Sequence, residues 1–143
     1  MPKPKVLFLC TGNSARSQMA EGYLRHVAGD DFEALSAGVD PYTLNPLAVE
    51  AMTEIGIDIS LQSSKNVREF LGQAIPYVIT VCDHARAHCP IFPHTYKFLH
   101  WSLPDPTEAT GSHGDKLAVF RRVRDEIAQR IQRELLAPAA VAK

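Results

Sequence analysis

Val6-Leu7-Phe8-Leu9-Cys10-Thr11-Gly12-Asn13-Ser14-Ala15-Arg16-Ser17 passes from a continuously apolar, β-prone run, through small and polar residues, into a helical pattern. An apolar run without alternation fits a strand buried on both faces, as in a parallel sheet. From Arg16 onward Met19, Ala20, Tyr23, Leu24 and Val27 form one stripe, with Gly29 beyond its end. The chain therefore opens as strand, tight small-residue loop and helix, with Cys10 at the carboxyl end of the strand.

Working outward, Phe32 to Ser36 reads as a second strand, closed by Gly38 and Pro41. Asn45-Pro46 opens a helix over Leu47, Val49, Ala51, Met52 and Ile55, stopped by Gly56. Gln62 to Gly72 reads as a short helix starting from Ser63 or Ser64. Tyr77 to Val81 is a third buried strand ending at Cys82, and Lys97 to Trp101 a fourth. Leu117, Phe120, Val123, Ile127, Ile131 and Leu135 then mark the apolar stripe of one long amphipathic helix. Ala137 to Lys143 reads as a fraying tail. Strands alternating with helices predict an α/β fold with a parallel sheet and right-handed crossovers. In such folds ligands bind beyond the carboxyl ends of the strands, where Cys10 and Cys82 both fall.

The 143 residues suit one domain, with no repeat or linker to divide them. Hydrophobic residues make up 45% and charged residues 22%, which argues against disorder. A formal net charge of −1 lacks the basic excess of a nucleic-acid binder. No stretch approaches the ~18 apolar residues of a membrane span, and Val6 to Cys10 is too short for a signal peptide's apolar region. The expectation is a cytoplasmic protein. Its three cysteines, Cys10, Cys82 and Cys89, are then more plausibly catalytic, redox-active or metal-binding than structural.

The loop Thr11, Gly12, Asn13, Ser14, Ala15, Arg16, Ser17 has the composition of an oxyanion cradle. Small residues let successive backbone N–H groups curl inward, and the helix N-terminus reinforces them. Asn13 tolerates the left-handed backbone that such a curl needs. Arg16 supplies a planar fork for two oxygens of a tetrahedral anion. The same field is expected to favour the Cys10 thiolate over its ordinary pKa of ~8.5, with Ser17 adding a hydrogen bond to the sulfur.

Cys82 and Cys89 bracket Asp83-His84-Ala85-Arg86-Ala87-His88. Cys82, His84, His88 and Cys89 are a possible zinc set, although the ligands fall more densely than in familiar structural sites. A redox reading competes with it. If Cys10 and Cys82 end adjacent parallel strands, those strands lie ~4.8 Å apart, within the Cα range that a disulfide accepts. A helical 82–89 segment would separate its cysteines by about 10.5 Å, so a Cys82–Cys89 bond would require the segment to unwind. His84 and His88 either tune the neighbouring thiols or are surface residues. Pro104-Asp105-Pro106 follows the fourth strand, where Asp105 is either a general acid or part of an ordinary turn.

Assembled, these residues resemble the low-molecular-weight tyrosine phosphatase superfamily, and more narrowly the thioredoxin-coupled arsenate reductases built on its fold. The similarity runs through Cys10 to Ser17, Ser36-Ala37-Gly38, Asn45-Pro46, Gly56 to Ser60, Cys82 with Cys89-Pro90, and Pro104-Asp105-Pro106. Cys10, Arg16 and Asp105 match positions shared with the phosphatases, and Cys82 with Cys89 match the pair that marks the reductases. The resemblance implies a three-layer sandwich: a four-stranded parallel sheet of order 2-1-3-4 with helices on both faces. It also implies a monomer that reduces arsenate to arsenite through Cys10, Cys82 and Cys89, with electrons from reduced thioredoxin and no resident cofactor or metal. Ala15 stands where some relatives have a further cysteine. Lys65 falls where some have an aspartate that helps hold potassium beside Asn13 and Ser36, so its ammonium is expected to replace the ion. The rivals are a phosphatase, against which Thr107 stands where an aromatic is common, and a zinc-binding or redox-sensing module.

Overall fold

β1 (Lys5–Cys10) is buried from Val6 to Cys10 and hydrogen-bonded on both sides, which accounts for its apolar run. It is central to the sheet in the computed structural model, which describes residues 3–136. With β2 (Glu33–Gly38), β3 (Tyr77–Thr80) and β4 (Lys97–His100) it forms a four-stranded parallel sheet of order β2-β1-β3-β4. This is the expected α/β architecture, with helices around the sheet. Among the described residues no helix is long and apolar enough to cross a membrane.

α1 (Arg16–Ala28) packs on β1 and β2, and α4 (His113–Ile131) packs against both α1 and α2 (Pro46–Thr53). α2 begins as its sequence indicates, with Pro46 in the first turn and Asn45 Oδ1 accepting from Leu47 N–H at 2.8 Å. α4 starts four residues before Leu117 because Ser112 and Asp115 form a reciprocal capping box. Its stripe of Leu117, Phe120, Val123, Ile127 and Ile131 is buried, and a π-helical turn follows over Gln132–Leu136. Glu54, at the end of α2, clamps α4 through Arg121 and Arg124. The tail read from Ala137 to Lys143 lies outside the described residues.

The helix expected from Gln62 to Gly72 is replaced by an extended segment and one 3-10 turn, Val67–Phe70. The backbone of Ser63–Asn66 is engaged elsewhere. Lys65 N–H donates to Asn13 Oδ1 at 2.8 Å, Gly38 N–H donates to Lys65 O at 2.8 Å, and Asn66 pairs with Gly38 beyond β2. Asn66 then caps the short turn with Glu69.

Candidate active site

The carboxyl ends of β1, β3 and β4 deliver Cys10, Cys82 and the 101–105 loop to one edge of the sheet. Asn13 adopts φ 49°, the left-handed turn expected of it, which aims its own N–H at Cys10 Sγ, 3.1 Å away. Ser17 Oγ lies 2.8 Å from the same sulfur. Ala15, the N-cap of α1, makes no side-chain cap hydrogen bond, which leaves the first-turn amides of this helix to face an anion or the Cys10 sulfur. That is the composition of an anion-binding helix terminus.

Arg16 is buried and fixed from across the site. Its Nη1 donates to Leu103 O at 3.0 Å, and its Nη2 lies 3.7 Å from Asp105 Oδ2. The other Asp105 oxygen accepts from Thr107 N–H and from the Thr107 hydroxyl, at 3.0 and 2.6 Å. Cys10, Thr11, Gly12, Ser14, Ala15, Arg16, Tyr42, Asp105 and Thr107 line a cavity of about 140 Å³. Such a space suits a small tetrahedral anion, and Asp105 faces the nucleophile across it. The loop is also held from outside, by Tyr42 N–H on Gly12 O at 2.8 Å and Asn45 N–H on Ser14 O at 2.9 Å. Gly38 lets the chain pass close behind the loop: a Cβ there would meet Thr11 O at 2.6 Å.

The Cys10 thiol differs from the sequence expectation. Burial raises its pKa above the ordinary value, although Ser17, the Arg16 guanidinium and Asn13 N–H all pull it down. The lowering contributions of the loop are present as expected, but desolvation of the sulfur outweighs them.

Behind the loop lies a buried polar network. Asn13 Nδ2 donates to Ser17 Oγ at 2.8 Å and to Ser36 Oγ at 2.9 Å, and Ser36 donates to Glu21. Asn13 O accepts from Gln18 Nε2 and Ser64 Oγ. Glu21, nearly inaccessible, pairs with Arg25 and lies 3.6 Å from Lys65 Nζ, which also donates to Ser63 O. A buried carboxylate needs such partners. The ammonium of Lys65 thus reaches the Asn13–Ser36 pair through Glu21, the carboxylate to which Ser36 donates.

Cys82 and Cys89 border α3 (Asp83–Ala87), a single turn with Cys82 as N-cap. Cys82 Sγ accepts from Ala85 N–H at 3.4 Å and lies 3.3 Å from Thr11 Oγ1, in contact with the oxyanion loop itself. All three cysteines are free thiols; Cys89, half-buried and with its pKa raised by desolvation, donates to Pro90 O. The His84 and His88 rings stack on each other at 4.2 Å, both exposed. Among the described residues no three His, Cys, Asp or Glu side chains converge as a metal site.

Sequence reasoning missed Glu21, Gln18, Tyr42 and the Leu103 carbonyl. Glu21 carried one readable signal, its spacing four residues before Arg25. Gln18 and Glu21 otherwise look like a solvated helix face, and a backbone carbonyl leaves no trace in sequence.

The family model described as low molecular weight phosphotyrosine protein phosphatase matches residues 5–143. An arsenate reductase of Halalkalibacterium halodurans is 49% identical over 132 residues, covering 92% of this chain and 95% of that protein. Among solved structures, an arsenate reductase in a phosphate-binding state aligns with TM-score 0.75 and 33% identity, over 91% of this chain and 95% of its own. A thioredoxin-dependent arsenate reductase of Corynebacterium glutamicum aligns with TM-score 0.71 and 33% identity, over 99% of this chain and 64% of that one.

Proposed function

Because the chain belongs to the low molecular weight phosphotyrosine protein phosphatase family, we propose that it is a cytoplasmic arsenate reductase working through a three-cysteine relay and regenerated by thioredoxin. The observation that carries this reading is the 3.3 Å contact between Thr11 and the Cys82 sulfur, which sets a second thiol against the oxyanion loop that begins at Cys10. A simple hydrolase has no use for that neighbour.

Hydrogen arsenate enters the loop, its oxygens facing the backbone N–H groups and the Arg16 fork. The Cys10 sulfur bonds to arsenic, and one arsenic–oxygen bond breaks. Asp105 protonates the departing oxygen and takes up the proton released by the Cys10 thiol, so that water leaves and a Cys10–arsenate thioester remains.

Cys82 then attacks the Cys10 sulfur. The sulfur–arsenic bond breaks with its electron pair on arsenic, which leaves as arsenite, and a Cys10–Cys82 disulfide forms. Cys89 attacks Cys82 next, restoring the Cys10 thiol and moving the disulfide outward to the surface, where reduced thioredoxin removes it. A helical 82–89 segment would hold its cysteines about 10 Å apart, beyond disulfide range, so in this reading the step unwinds α3 and its flank, residues 83–88.

A phosphoryl group on Cys10 has no comparable reductive exit and leaves only by hydrolysis. Slow phosphatase activity is therefore expected from the same loop, and the exposed Tyr42 ring at the cavity mouth offers an aryl ester a surface. The discriminating experiment couples NADPH, thioredoxin reductase and thioredoxin to arsenate, with wild type, Cys82→Ser and Cys89→Ser. Turnover is expected only in the wild type, and turnover surviving both substitutions overturns the relay.

A further inference from the structure

Little holds α3 in place. It has five residues and one buried side chain, Ala85, while His84, Arg86 and Ala87 are exposed. Its first residue is nevertheless tied to a neighbouring strand. Asp83 Oδ1 accepts from His100 Nε2 at 2.8 Å and from Ser102 Oγ at 3.3 Å. His100 ends β4 in register with Thr80, and its Nδ1 lies 2.6 Å from the Thr80 hydroxyl, which is fully buried on β3. A carboxylate only accepts, so Nε2 must carry a proton. Nδ1 then either accepts from Thr80 or, on the imidazolium, donates to it, and the bond to Asp83 persists in both states. His100 also holds the Asp83 carboxyl below the ordinary carboxylate range.

No step of the relay uses these side chains. We propose that Asp83 and His100 are a latch, a positioning pair that stabilises the helical, reduced form of residues 83–88 and thereby sets how readily the Cys82–Cys89 disulfide forms. The proposal rests on the relay described above, in which that disulfide requires α3 to unwind. The latch acts at the turn adjoining Cys82, so the bond that resists unwinding also keeps this sulfur beside Thr11. The backbone alone supplies few bonds to the helix, Arg86 N–H to Cys82 O and His88 N–H to His84 O among them. One additional side-chain bond is therefore a large share of what holds it.

The test equilibrates the full-length protein with mixtures of reduced and oxidised glutathione. One oxidised glutathione takes two electrons from Cys82 and Cys89, giving the protein disulfide and two reduced glutathiones, and alkylation with mass spectrometry reads the products. Asp83→Ala is expected to raise the equilibrium constant for this disulfide about five-fold, the size of one net hydrogen bond. His100→Ala should raise it by no more than this, and the double variant no further than Asp83→Ala, because His100 is tied to α3 through Asp83, which also accepts from Ser102. Asp83→Asn keeps an acceptor oxygen for Nε2–H and should stay within about two-fold of wild type. Amide hydrogen exchange of residues 84–88 in the fully reduced protein should quicken in both alanine variants, in each by the factor its disulfide equilibrium shows. Unchanged equilibria and exchange, or effects that add in the double variant, overturn the latch while leaving the relay intact. A wild-type protein that never forms the Cys82–Cys89 bond overturns the relay and the latch's redox role together. Faster exchange in the variants would then still identify the clamp itself.

Discussion

Replacing Asn13 by alanine removes three side-chain hydrogen bonds from a position with no solvent exposure and leaves alanine at φ 49°. The two bonds from Nδ2 are worth about 1 kcal/mol each, since Ser17 and Ser36 keep other partners. The Lys65 N–H loses its acceptor, at a cost of about 1–3 kcal/mol. An alanine in the left-handed region adds roughly 1 kcal/mol over asparagine, which visits it readily. The sum is about 4–6 kcal/mol, against ~5–15 kcal/mol for a whole domain. Asn13→Gly escapes the backbone strain, so it should recover roughly 1 kcal/mol. Urea unfolding followed by circular dichroism measures both. At a slope of about 2 kcal/mol per molar, Asn13→Ala should lower the midpoint by about 2–3 M, and Asn13→Gly by about 0.5 M less. A shift below about 0.5 M for alanine, or a glycine variant no more stable than alanine, refutes the view that this side chain and its backbone hold the loop in shape.

Three further outcomes follow from the same geometry. Asp105→Asn should slow arsenate reduction by about 10²–10⁴-fold with little change in stability, because the carboxyl is partly exposed and acts on the leaving oxygen; an unimpaired variant removes it from the mechanism. With Lys65 beside Glu21 and the Asn13–Ser36 pair, activity should be equal in potassium and sodium buffers, and strong activation by potassium contradicts this role. Glu54 has its pKa lowered to about 2, chiefly by its hydrogen bond to Arg121. A depressed carboxyl stabilises the fold above its unfolded pKa of ~4.3, and that contribution fades as pH falls toward 2. Glu54→Gln should therefore be less stable than wild type at pH 7 and indistinguishable from it near pH 2, as checked by unfolding across that range.

The opening strand, loop and helix were legible because each obeys a local rule: an apolar run buried on both faces, small residues in a curl, and apolar spacing along α1. The order of the strands came from resemblance, since no periodicity encodes which strands pair. The 62–72 helix failed for a tertiary reason, Asn13 and Gly38 having drawn the backbone around Lys65 into bonds that a helix cannot make. The Glu21 network hides in a helix face whose polar residues look solvated. For Cys10, the groups that lower its pKa can be read from the loop's composition, but the burial that raises it appears only in the folded chain. The Asp83–His100 tie joins residues 17 positions apart whose types alone suggest nothing.

The most direct test of the relay is a single turnover without thioredoxin. Fully reduced protein is given one equivalent of arsenate, quenched by alkylation and mapped by mass spectrometry. The account predicts one equivalent of arsenite, a Cys82–Cys89 disulfide and an alkylated Cys10, with Cys89→Ser stalling at Cys10–Cys82. Arsenite released while Cys82 and Cys89 both remain alkylatable contradicts it.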